Sequence, residues 1–175
     1  MKYLVGYLVI WQLGQIRASF DASASLQSEK IYVGGLKKTE VYIRDGLITG
    51  GDPNTRNFTI TDIRRAKNSQ FERLVIDLNS ESKTVTSNSI RTPYYQVAVT
   101  PREKRLVLTL FGKPKLNFSP IQVQNAFKQS LLVDRLELLP LVDENSWTFA
   151  VEMKSDHPIE VFELSNPPRI IIDIK

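Results

Sequence analysis

Ile159-Glu-Val-Phe-Glu-Leu-Ser-Asn-Pro-Pro-Arg-Ile-Ile-Ile-Asp-Ile174 is the stretch on which the fold turns. Two β-branched, apolar runs flank Ser165 to Pro168, residues that stop a strand rather than extend it, so the stretch predicts a hairpin. Pro167 and Pro168 lack an amide hydrogen and fix φ, and Asn166 tolerates turn geometry. Ile170-Ile-Ile172, bracketed by Arg169 and Asp173, reads as a strand apolar on both faces with its charges towards the ends.

The same phrase recurs upstream. Arg73-Leu-Val-Ile-Asp-Leu78 and Arg105-Leu-Val-Leu-Thr-Leu110 match Arg169-Ile-Ile-Ile-Asp-Ile174 by chemical class at every position, with Thr109 where the other two carry Asp. The middle copy is also entered by a strand, Tyr95 to Val99, and a turn, Thr100 to Lys104. A repeated hairpin unit predicts a sheet-on-sheet β domain in which each copy buries one face against the others. Within a copy, Arg73 and Asp77, or Arg169 and Asp173, lie about 13 Å apart on one face of a strand, too far to pair. Their partners must come from neighbouring strands, where the carboxylates satisfy polar groups at the sheet ends.

The end of the chain, Val161-Phe-Glu-Leu164 followed by Asn166-Pro-Pro-Arg-Ile-Ile-Ile-Asp173, resembles the closing signature of the AMIN domain, an envelope module that accompanies periplasmic N-acetylmuramoyl-alanine amidases and type IV pilus secretins. Phe71-Glu-Arg-Leu-Val-Ile-Asp-Leu78 and Pro93-Tyr-Tyr-Gln-Val97 resemble the opening of the related stand-alone AMIN-like domain. The likeness runs from Phe58 to the C terminus. It implies a non-catalytic module associated with peptidoglycan binding or with placing envelope machinery, and it carries Asn166, Arg169 and Asp173 over as motif residues, in a fold-shaping or a ligand role. The chain departs from the pattern in lacking the zinc amidase domain and in having extra residues before Phe58.

A chain of 175 residues suits one domain with its own core. It has no cysteine, which removes disulfides, thiolate catalysis, thiol-based zinc sites and a lipid anchored on cysteine. The formal charge of +4 is dispersed, with one short basic run at Arg64-Arg65-Ala66-Lys67, which is not a nucleic-acid footprint. Met1-Lys2, the apolar run Tyr3 to Leu13 and the small-x-small Ala22-Ser23-Ala24 predict a signal peptide over 1–24, with cleavage after Ala18 as the competing site. That run is too short for a permanent span, which needs about 20 residues, so no transmembrane segment is expected in the mature chain. The expected location is the periplasm or outside the cell.

Residues 25–57 read as a leading segment with a short hairpin, Glu40 to Arg44 and Leu47 to Thr49 joined at Asp45-Gly46. Gly50 to Asn54 is a loop without P-loop spacing. Residues 58–175 read as the β domain: a strand over Phe58 to Ile63, a polar connection from Arg64 to Gln70, and a polar loop from Asn79 to Arg91. A helix starts at Ser119, which can cap it, and Pro120, which suits its first position. A strand over Val133 to Leu141 and an acidic turn, Asp143 to Ser146, lead into Trp147-Thr-Phe-Ala-Val-Glu-Met153, whose alternation buries Trp147, Phe149, Val151 and Met153. The expected architecture is therefore mainly β, a sandwich of two small antiparallel sheets with one short helix.

Chemistry is sparse. His157 stands alone before Pro158, no serine elbow or calcium loop is present, and no metal or cofactor is expected. The reading is a protein that is not an enzyme. Tyr94 and Tyr95, neighbours on a strand, must point to opposite faces, and the outward one with Arg91 is the candidate for glycan contact. An aromatic ring packs on the C–H face of a sugar while Arg bonds its polar groups; an ordinary cross-strand aromatic is the competing reading. The functional expectation is an exported module binding peptidoglycan. An envelope adaptor without glycan affinity and a periplasmic carrier of an apolar ligand are the alternatives.

Overall fold

A computed structural model of the chain describes residues 30–80 and 91–175. The expected signal peptide with both cleavage sites, and residues 81–90 of the polar loop, lie outside the described residues. The strands are β1 (Ile31–Val33), β2 (Gly46–Gly50), β3 (Asn57–Lys67), β4 (Glu72–Ser80), β5 (Tyr95–Thr100), β6 (Arg105–Phe111) and β7 (Lys113–Leu116). Helix α1 (Pro120–Phe127) follows, then β8 (Val133–Leu138), β9 (Ser146–Met153), β10 (Ile159–Ser165) and β11 (Pro168–Ile174). They form a six-stranded sheet, β1-β2-β5-β6-β9-β8, and a five-stranded sheet, β10-β11-β4-β3-β7.

The chain is a mainly β sandwich. One core joins inward residues of both sheets: Val97, Leu108 and Phe149 from the first, Ile60, Ile76 and Ile172 from the second. Trp147, Phe149, Val151 and Met153 all lie in it, as the alternation requires. The sheets are mixed rather than purely antiparallel, since β1 runs parallel to β2 and β7 parallel to β3.

The repeated phrase explains the five-stranded sheet. β4 and β11 are neighbours and antiparallel, so the arginine of each copy faces the aspartate of the other: Asp173 lies opposite Arg73, and Arg169 opposite Asp77. Arg73 grips Asp173 with two hydrogen bonds, of 2.6 and 2.8 Å, and Lys38 adds a cation at 3.3 Å. Asp77 accepts from Arg169 at 2.9 Å and from Arg64 at 2.5 Å. Between these two rows of charge, Val75, Ile171 and Phe162 make a separate apolar cluster on the outer face. The middle copy, in β6, lies in the other sheet; there Thr109 needs no arginine and meets Thr148 at 2.9 Å.

Helix α1 begins as expected, with the Ser119 hydroxyl accepting from the Gln122 N–H and Pro120 in the first turn. It buries Val123 and Phe127, while Ile121 faces solvent.

Three segment expectations are corrected. Asp45-Gly46 does not close a hairpin: residues 40–44 form no strand, and β2 pairs with β1 in parallel on one side and β5 on the other. Residues 30–57 are also no separate leader, because β1 and β2 complete the six-stranded sheet and the strap between them bridges to β10 at Gly35–Phe162 and Ile43–Ile159. The basic run 64–67 is strand, not connection, since Arg64 and Arg65 find Asp77 and Glu72 on β4. Lys113–Leu116, to which the sequence reading assigns no element, is an edge strand, a place where the missing amide of Pro114 costs no ladder bond.

Candidate functional site

The residues singled out by sequence fall in three places. Tyr95 points inward and is 0% exposed, so it cannot stack on a ligand. Its hydroxyl donates to Glu163 at 3.3 Å, and burial together with that carboxylate raises its pKa well above the ordinary phenol value. Glu163 also accepts from the Gly51 N–H at 2.8 Å and from the Thr92 hydroxyl, which fixes this inward carboxylate at one end of the sandwich. Gly50 is needed beside it, because a β-carbon there would strike the Tyr95 hydroxyl.

Arg91 is exposed at the mouth of a small recess of about 90 Å³ that it lines with Leu36, Thr92, Glu163, Leu164 and Ser165. Asn166 sits in the exposed turn next to this recess, joined to Pro167 by a cis peptide bond. Arg169 is engaged with Asp77 on the outer face of the five-stranded sheet, so this motif residue ties strands together. Arg91 and Tyr94, expected to act together, therefore belong to different surfaces.

Tyr94 is the outward aromatic. It is half-exposed, and its ring lies 5.4 Å from that of Phe111, tilted by 37°. The Phe111 N–H donates to the Tyr94 carbonyl at 2.9 Å, which fixes the two rings at one end of the six-stranded sheet. From that pair a polar row crosses the outer face. Gln96 donates to the Tyr94 hydroxyl at 3.0 Å, and the register sets Gln96 beside Thr109 and Thr109 beside Thr148. Farther along, Arg105 reaches Glu137 at 2.9 Å and Arg135 reaches Glu152 at 2.7 Å.

This face is open because β5 and β6 alternate strictly. Val97, Val99, Leu106, Leu108 and Leu110 are buried, while Gln96, Ala98, Val107, Thr109 and Phe111 between them are half-exposed. The result is an aromatic step beside a band of amide and hydroxyl groups, ordered by mutual hydrogen bonds. Gln96, Thr109, Phe111 and Thr148 were not singled out from sequence. The signal that could have found them is the polar half of the Arg105 to Phe111 alternation, which becomes a site only once β5, β6 and β9 are known to be neighbours. No protein-family model and no curated protein matches this chain.

Proposed function

We propose that this chain is a non-catalytic binding module of the cell envelope that holds a glycan strand of peptidoglycan on the open face of its six-stranded sheet. The observation that carries the reading is the half-exposed Tyr94–Phe111 pair in line with Gln96, Thr109 and Thr148. A sugar ring offers an apolar C–H face to such an aromatic and hydroxyls to such a polar band. The leader-like start of the sequence and its resemblance to AMIN domains support the location and the ligand class. The test is co-sedimentation of the purified protein with insoluble peptidoglycan over a salt series, for the parent and for Tyr94→Ala. Pelleting that survives high salt and is lost in the variant supports a specific site; pelleting abolished by modest salt and indifferent to Tyr94 reduces the interaction to charge attraction.

One observation favours a second reading, an adaptor that docks through a sheet edge. Among the described residues no strand pairs with the outer side of β1, whose Ile31 and Val33 are 65% and 83% exposed, and an open edge of this kind can accept a partner strand. Binding to a protein partner that is lost in Val33→Lys and kept in Tyr94→Ala would select it.

A further inference from the structure

A sheet edge invites pairing unless something blunts it. Among the described residues, three of the four edges of the two sheets are blunted. Strand β8 carries Asp134, Arg135 and Glu137 and a break in register after Val133. Strand β7 carries Pro114 between two lysines. Strand β10 is crossed by the strap that joins β1 to β2. There the Ile159 N–H donates to the Ile43 carbonyl at 2.7 Å, the Ile159 carbonyl accepts from the Ile43 N–H at 2.8 Å, and the Glu163 N–H donates to the Gly35 carbonyl at 2.8 Å. Strand β1, Ile31-Tyr32-Val33, has no charge, proline or covering segment among the described residues.

The pairing of β1 with β2 shows which groups are left over. The Lys30 carbonyl accepts from the Leu47 N–H at 2.9 Å, and the Gly34 N–H donates to the Thr49 carbonyl at 2.7 Å, so the even-numbered residues bond to β2. In a parallel ladder the residues between them turn their N–H and carbonyl groups the other way. Ile31 and Val33 therefore present two donors and two acceptors to the open edge. Their side chains, 65% and 83% exposed, lie on the same outer face as Leu47 and Thr49, while Tyr32 packs on the core. Val41 of the strap, 64% exposed, lines one recess with Val33 and widens the apolar edge.

We propose that the occupant of this edge is a second copy of the chain, paired β1 to β1 antiparallel, with Ile31 of each copy opposite Val33 of the other. Residues opposed in this way exchange both backbone bonds. A twofold axis at Tyr32 then satisfies every outward group of both strands. With Ile31 opposite Ile31, or Val33 opposite Val33, the other residue runs past the end of the facing strand. Charge does not oppose the match, since Lys30 falls beside Gly34 of the other copy and no like charges meet. Two strands of three residues bury much less than the about 1,000 Å² of a lasting interface, so the pair is transient, with a dissociation constant on the order of 1 mM. The axis is perpendicular to the sheet, so the two six-stranded sheets become continuous and both open faces look the same way. The pairing rests on the edge alone and not on the glycan reading.

The test is a dilution series of the whole protein across the millimolar range, followed by sedimentation equilibrium and by amide NMR with hydrogen exchange. The mass should rise from one towards two copies, and the Ile31 and Val33 amides should gain protection with concentration. Two double variants at these exposed positions read the register. Ile31→Glu/Val33→Glu sets like charges opposite each other and should weaken the dimer about tenfold or more. Ile31→Lys/Val33→Glu sets opposite charges together only when position 31 faces position 33, and should pair at least as well as the parent. A mass that stays at one copy would leave the edge to a different partner and overturn the proposal. Protection of the Ile31 and Val33 amides that is already complete at every dilution, or equal behaviour of the two double variants, would also overturn it.

Discussion

Replacing Glu72 by glutamine should flatten the acid limb of this protein's stability curve. Glu72 faces inward at the opposite end of the sandwich from Glu163. It accepts from Arg65 at 2.9 and 3.1 Å, from the Leu131 N–H at 2.8 Å and from the Ser130 hydroxyl. Burial pushes its pKa up, but the bonds from Arg65, Ser130 and Leu131 outweigh that and hold it at about 2, against an ordinary 4.5. A depressed carboxylate stabilises the fold above its unfolded pKa and loses that contribution as pH falls through the folded one. At about 1.4 kcal/mol per pH unit, the drop is worth about 3 kcal/mol near about pH 6 and under about 1 kcal/mol near about pH 2.5. Urea unfolding of parent and Glu72→Gln at several pH values reads this directly, provided m stays constant. The gap between the two proteins should shrink by roughly 2–3 kcal/mol over that range. A gap independent of pH, whatever its size, would refute the reasoning, because only the titrating group can make it move.

Further outcomes follow from the same contacts. Asp173→Ala leaves Arg73 and Lys38 without their shared, fully buried partner and should cost about 3–5 kcal/mol in urea unfolding, whereas joint replacement of Arg73 and Asp173 by leucine should cost much less. Trp147→Ala opens a cavity in the core and should cost about 3–5 kcal/mol by the same assay. Tyr95→Phe removes one donor from Glu163 while Thr92 and Gly51 remain, so a loss of about 1 kcal/mol is expected, read from the urea midpoint. Ser119→Ala should cost about 1 kcal/mol through the lost helix cap.

Much of the fold is written locally. The hairpin at Ile159 to Ile174, the turn at Pro101 to Lys104, the capped start at Ser119 and the Trp147 to Met153 alternation each follow from residues close in sequence. What escapes is whatever depends on a distant neighbour. Arg64 and Arg65 look like a solvated connection until β4 supplies Asp77 and Glu72. Asp45-Gly46 has the chemistry of a hairpin turn, but β2 finds better partners in β5 and in β1, and the Gly46 φ of 122° serves its close approach to the Lys30 carbonyl instead. The site shows the same division. Sequence establishes that Tyr94 and Tyr95 oppose each other; only the sandwich decides that Tyr95 is the one sealed against Glu163. The crossed pairing of Arg73 with Asp173 and Arg169 with Asp77 lies between these cases, since the spacing rules out pairing within a copy and the antiparallel register then dictates the exchange.

Glycan binding on the open face is tested most directly by an amide NMR map of the protein titrated with a soluble peptidoglycan glycan fragment. Shifts are expected along Tyr94, Gln96, Thr109, Phe111 and Thr148, absent in Tyr94→Ala. Shifts centred instead on Arg91 and the Asn166 turn, or on the β1 edge, would contradict it.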